Sequence, residues 1–231
     1  MAHLLTLDGN AKTVKGKKRG YVTGILYLAP STLSGRNVCP HSSEGCRAAC
    51  LYSAGRGAYQ NVKNARLRKT NLFFSDRESF MAQLVVDIET FHRRAKKNGF
   101  EFVVRLNGTS DIPWENVKVG DKNLMELFPA VQFYDYTKNL TRMLTFLHGK
   151  LPSNYHLTFS RSESNGMQVD TVLKNGGNVA VVFANAVSSF QNKTVINGDQ
   201  DDLRFLDPKG VIVGLKAKGK ARKDNTGFVV K

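Results

Sequence analysis

The sequence predicts an α/β fold, either a partial (β/α) barrel or a curved, mostly parallel sheet with flanking helices. Three observations lead there. Strand-like and helix-like runs alternate at intervals of about 23 to 30 residues, the rhythm of βαβ units. Roughly six strands are present, too few for a closed eight-fold barrel of ~250 residues. No Gly-x-Gly-x-x-Gly follows any strand, which counts against a doubly wound dinucleotide fold.

The elements follow in order. Residues 21–28 form the first expected strand. Ser75 and Glu78 make a capping box, and Phe80, Met81, Leu84, Val85, Ile88 and Phe91 then recur at helical spacing. Arg93, Arg94, Lys96 and Lys97 suit the negative helix end, and Gly99 stops it. Strands are expected at residues 102–106, 131–134, 155–159, 179–183 and 211–215. Helices are expected at 123–128, 140–147 and 166–173. The stretch before residue 211 is rich in Asn, Asp and Gly and reads as a loop.

The chain has 231 residues, of which 41% are hydrophobic and 14 are Phe. That allows a proper core and excludes wholesale disorder. The length fits a single domain over 1–231. No run of about eighteen apolar residues occurs, so no membrane partner is expected. Residues 1–20 are a basic segment with no apolar stretch, unlike a secretory signal. Residues 216–231 read as a basic tail. With 34 Lys plus Arg against 19 Asp plus Glu, the formal charge is +15. Such an excess points to nucleic acid or a phosphorylated small molecule, or simply keeps the protein soluble.

All three cysteines fall between Cys39 and Cys50, without the even, dispersed count of a disulfide scaffold. A reducing cytoplasm is the expected compartment. Their segment, residues 37–57, has spacing C-x6-C-x3-C. Cys46 and Cys50, four apart, share one face of a helical turn, and Cys39 approaches from the preceding loop. Soft thiolates favour zinc, Cu(I) or an iron–sulfur cluster. Zinc needs a fourth ligand, for which His41 would require a tight bend. A [4Fe–4S] cluster fits better: three cysteines hold three irons, and the fourth is left for a substrate or another ligand. Three buried thiols without metal are the plain alternative. Nearby, Arg56 is placed to balance the cluster's charge, whereas Arg66 to Lys69 read as a solvated helix face.

In either architecture, ligands bind at the carboxyl ends of parallel strands. Asn107, Asp111, Asp135, Lys138, Arg161 and Glu163 follow such ends and are expected to form one polar ligand-binding rim, although Asn and Asp there also serve as caps and turn formers.

The residues Leu28-Ala29-Pro30, the segment Cys-Pro-x4-Gly-Cys-x3-Cys-Leu-x3-Gly-Arg-Gly and the later Arg105 to Asp111 and Tyr136-Thr137-Lys138 segments resemble bacteriophage proteins of the gene-product-eighty-eight type. The resemblance spans most of the chain and implies a phage-encoded protein of the host cytoplasm with an iron–sulfur cluster on Cys39, Cys46 and Cys50. It names no reaction. The radical S-adenosylmethionine enzymes are a weaker analogy, since they pair a three-cysteine loop with a partial barrel. Their C-x3-C-x2-C spacing and glycine-rich strand are absent here, which counts against adenosylmethionine as a cofactor. Two classes of function remain: redox or small-ligand chemistry at the open iron, and a nucleic-acid-associated protein with a structural cluster or zinc.

Overall fold

The structure, a computed structural model, describes residues 3–231, the Ser53 side chain apart. In chain order the strands are β1 (Leu5–Leu7), β2 (Tyr21–Leu26), β3 (Glu101–Arg105), β4 (Lys118–Val119), β5 (Lys122–Asn123), β6 (Gln132–Thr137), β7 (Tyr155–Ser160), β8 (Val179–Phe183), β9 (Ser189–Phe190), β10 (Lys193–Asn197), β11 (Ile212–Lys216) and β12 (Val229–Val230). The helices are α1 (Ala11–Gly16), α2 (Glu44–Ala48), α3 (Gln60–Ser75), α4 (Arg77–Lys97), α5 (Leu124–Leu127), α6 (Leu140–Leu147) and α7 (Gly166–Lys174).

Apart from the small β4–β5 hairpin, the strands form one sheet. Its centre is parallel and runs β2-β3-β6-β7-β8-β11-β10, with antiparallel β1 and β9 at the two edges. β7 leaves β8 after Ala180, and β12 takes over that edge at Val182 and Phe183. The C-terminal segment thereby enters the sheet where two strands part.

The sheet curls. In a flat sheet β2 and β10 would lie roughly 29 Å apart, at ~4.8 Å per neighbour. Yet Lys12 and Lys15 of α1, just before β2, donate to the carbonyls of Gly198 and Asp199, just after β10, at 3.3 and 3.1 Å. Such bonds require the two ends of the sheet to bend toward each other, giving an open barrel.

Alternation along each strand separates two cores. Phe102 and Val104 of β3 face the helices, where Phe80, Met81, Leu84, Ile88 and Phe91 of α4 pack on them. Each such side chain contributes about 1.5–3 kcal/mol by leaving water. Val103 and Tyr134 face the concave side and meet Leu203. There the segment after β10 lies across the sheet, and Asp202 accepts from Arg105 at 2.9 Å and from the Tyr134 hydroxyl at 3.2 Å.

All six expected strands and the expected helices are present. The structure adds four strands to the sheet. β9 and β10 occupy the stretch read as an Asn-, Asp- and Gly-rich loop, joined by Gln191 and Asn192 in left-handed backbone. β1 and α1 lie in the basic segment 1–20, and β12 in residues 216–231. The cap of α4 is Asp76, not Ser75. Asp76 accepts from the Ser79 N–H at 3.0 Å, which leaves Ser75 to finish α3. Gly99 ends α4 as expected, at φ +74°. Among the described residues no helix is long and apolar enough to cross a membrane.

Candidate metal centre

The three cysteines lie in the long connection from β2 to α3, beyond the carboxyl end of β2. Leu28 and Ala29 are buried, and the Ala29 N–H donates to Thr70 of α3 at 2.8 Å. The Thr109 hydroxyl, from the loop after β3, donates to the Leu28 carbonyl at 2.6 Å. The backbone of Asp111 then donates to the Val38 carbonyl at 2.8 Å. These bonds clamp Cys39 between two loops: its sulfur accepts from the Ser31 N–H at 3.4 Å and donates to the Thr109 carbonyl at 3.6 Å.

Cys46 rides on α2. Ser43 caps that helix by accepting from the Cys46 N–H at 3.2 Å. Both oxygens of Glu163 hold the same turn, one accepting from the Ser43 hydroxyl at 2.7 Å and the other from the Gly45 N–H at 2.8 Å. Gly45 must be glycine, because a Cβ there would meet Thr226 Oγ1 at 2.2 Å and Phe228 Cβ at 2.7 Å. Cys46 packs against Ala49, Ala217, Ala221, Phe228 and Val229. Cys50 follows, hydrogen-bonded to the Tyr52 backbone and within electrostatic reach of Arg66 and Lys138.

Cys39 feels both other thiols, and Cys50 feels Cys46. Burial pushes the Cys39 thiol up to about 12, with Cys50, Cys46 and Asp111 adding to the rise against the Ser31 hydrogen bond. Burial likewise raises Cys50, reinforced by Cys46 and offset by Arg66 and Lys138. The Cys39 and Cys50 thiols are therefore protonated at neutral pH, and a bound cation must displace those protons. Among the described residues no three His, Cys, Asp or Glu side chains close around a single metal ion. His41 is exposed. A zinc ion shared by these residues would require the loop to move.

The six expected rim residues divide into two groups. Asp111, Lys138, Arg161 and Glu163 reach the cysteine face, mainly as struts. Asp111 accepts from the Lys138 N–H at 2.9 Å and from Arg142 at 3.1 Å. Arg161 donates to the carbonyls of Gly227 and Phe228 at 2.7 and 2.9 Å, pinning the C-terminal segment. Lys138 donates to Ser160 Oγ at 2.5 Å. Asn107 and Asp135 lie beneath that face, fully engaged with protein. Asn107 Oδ1 accepts from the Ile112 N–H, the Ser110 hydroxyl and the Trp114 indole. Asp135 accepts from the Asn107 backbone at 2.6 Å, from its amide at 3.2 Å and from the Tyr155 hydroxyl at 2.7 Å.

Two charges are placed differently from the sequence reading. Arg56 is exposed. Arg66, read as part of a solvated face, is only 7% exposed, and its guanidinium lies 4.9 Å from the centre of the Tyr27 ring. Lys69 of the same run is held by burial at about 8 and donates to the Leu4 carbonyl. One signal did mark the inward face: Arg66, Thr70 and Phe73 stand at i, i+4 and i+7, and all three are buried.

No curated protein and no solved structure matches the chain. Residues 4–231 match the family model described as Gene product 88, and the chain therefore belongs to the gene product 88 family.

Proposed function

We propose that this chain is a phage-encoded iron–sulfur protein that holds a [4Fe–4S] cluster on Cys39, Cys46 and Cys50. The observation that carries the reading is the placement of all three cysteines in one connection beyond the carboxyl end of β2, with Cys46 and Cys50 within electrostatic reach of Cys39. An all-sulfur donor set suits iron–sulfur chemistry, and ligands of parallel sheets collect at that end. When bound, such a cluster supplies one-electron transfer and, at the iron without a cysteine, a Lewis-acid position.

The chain's own residues do the rest. Glu163 fixes the turn that carries Cys46, and Asp111 fixes the loop that carries Cys39. The raised thiols give up their protons on loading, so affinity rises with pH. Anaerobic reconstitution with iron and sulfide should give a brown protein, absorbing near ~400 nm with about four irons per chain. Cys39→Ala, Cys46→Ala and Cys50→Ala should each lose most of that iron while keeping the far-ultraviolet spectrum of the parent. A colourless protein with one zinc, or full iron retention in all three variants, would overturn the proposal.

A further inference from the structure

Among the described residues, no carboxylate pairs with Arg66 to match its charge. Its backbone is tied into the site: the Thr70 hydroxyl donates to the Arg66 carbonyl at 2.9 Å and accepts from the Ala29 N–H at 2.8 Å. Its guanidinium lies over Tyr27 and within electrostatic reach of Tyr52 and Cys50. Among the described residues, Nε and Nη1 find no hydrogen-bond partner, and no carboxylate forms an ion pair with Arg66. A guanidinium that is nine-tenths buried in this state is costly, and chains retain such groups where something else completes them.

Lys138 is a second cation within electrostatic reach of Cys50. Its ammonium donates to Ser160 Oγ and sits 5.6 Å from the centre of the Phe228 ring, again with no carboxylate ion pair among the described residues. Two cations therefore act on Cys50, one planar with donors in a fixed fork and the other a point charge. Asp111, which influences Cys39, is engaged by Arg142 and by the Lys138 backbone.

We propose that Arg66 and Lys138 form a binding subsite for a small oxyanion, a carboxylate or a phosphate, beside Cys50. The subsite deepens the cluster reading and rests on it for the placement of that anion against the open iron. Recognition of the anion itself needs only the two cations. A guanidinium fork favours a planar or tetrahedral group of oxygens over a spherical halide.

The test uses the full chain in two preparations, one reconstituted anaerobically and one metal-free under reductant. Each is titrated with inorganic phosphate and with malonate by calorimetry, against chloride at equal ionic strength. One of the two probes should bind saturably at one per chain, and the better probe identifies the source of the anion. Arg66→Gln should weaken binding by roughly ten-fold or more, Arg66→Lys should restore part of it, and exposed Arg68→Gln should leave it unchanged. Lys138→Met, which leaves Arg66 and its helix in place, should also weaken it. Binding by the metal-free protein alongside failed iron loading would keep the subsite and remove the cluster. A brown, four-iron protein that binds neither probe, or binding that survives both Arg66→Gln and Lys138→Met, overturns the subsite.

Discussion

Two polar regions meet along the loop after β3, and they are built on opposite terms. Around Asp135 the partners interlock. Arg142 grips Glu115 with two bonds of 2.7 and 2.9 Å, reaches Asp111 at 3.1 Å and donates to the Tyr155 hydroxyl. Tyr155 in turn donates to Asp135, which holds Asn107, which holds Trp114. At the cysteine face, a few residues away, burial and the neighbouring thiols raise Cys39, and among the described residues a buried arginine keeps two donors uncommitted. Groups that satisfy one another make a support; groups left over face something the chain does not supply. The concave face is an intermediate case. Arg105 Nε finds no hydrogen-bond partner among the described residues, yet Asp202 neutralises the same guanidinium. Lack of a partner marks a site only where the charge is unanswered as well.

The widest gap between the two regions should appear on truncation. Asp135→Ala leaves the Asn107 N–H, the Asn107 amide and the Tyr155 hydroxyl without their buried acceptor, removes a charge that Arg142 offsets, and should cost about 3–5 kcal/mol. Cys50→Ala in the metal-free protein should cost roughly 1 kcal/mol, because it removes a small thiol from a loop. Urea unfolding of both variants measures the contrast. Similar losses would mean that the cysteine loop is as much a support as Asp135.

Much of this arrangement was legible in the sequence. The α6 boundaries, Leu140 to Leu147, coincide with the expected helix, and β8 with the expected strand, because apolar periodicity there is strong. β10 was hidden because Thr194-Val195-Ile196 is short and set among Asn, Asp and Gly, and because its hairpin turns through Gln191-Asn192 instead of a glycine. Asn107 and Asp135 were visible as polar residues at strand ends. Their mutual pairing was not, since it depends on neighbouring strands being in register. Arg66 was obscured by its neighbours: a run of cations reads as solvated until the buried stripe through Thr70 and Phe73 is noticed.

The pH dependence of stability sharpens the contrast next. Unfolded, the Cys39 thiol titrates near 9.0; folded, near about 12. Between those values the unfolded chain binds fewer protons, so this thiol's contribution to stability is complete below about pH 9 and is lost as pH rises toward 12. The slope is at most about 1.4 kcal/mol per pH unit. In metal-free, reduced protein, Cys39→Ala should flatten that slope between pH 9 and 11 relative to the parent, read by urea midpoints. An unchanged slope would mean that Cys39 is solvated, which removes the electrostatic argument for a converging site.

Glu163 links the two kinds of region, since it is a satisfied acceptor that serves the cysteine face. Replacing it by Gln leaves one acceptor for the two donors, the Ser43 hydroxyl and the Gly45 N–H, and should cost about 1–2 kcal/mol. The loss should fall on iron occupancy at limiting iron more than on the melting of the sheet. A variant that loads as fully as the parent would show that α2 is positioned by packing against Phe228 and Val229 alone.

The smallest effect belongs to the residue that stands out most in the sequence. Arg56 sits between two glycines next to the cysteines, yet its side chain is exposed. Arg56→Ala should change stability by no more than about 0.5 kcal/mol and leave phosphate or malonate binding as it was. Gly57 is the member of that triplet the fold requires. A Cβ there would lie 2.7 Å from the Tyr52 carbonyl oxygen and 3.1 Å from that of Leu51. Gly57→Ala should therefore displace the turn whose Tyr52 backbone hydrogen-bonds the Cys50 thiol, at a cost of roughly 1 kcal/mol or more. If Arg56→Ala instead weakened anion binding as strongly as Arg66→Gln, the anion would be held at the surface, and the buried guanidinium would have to be explained by the cluster alone.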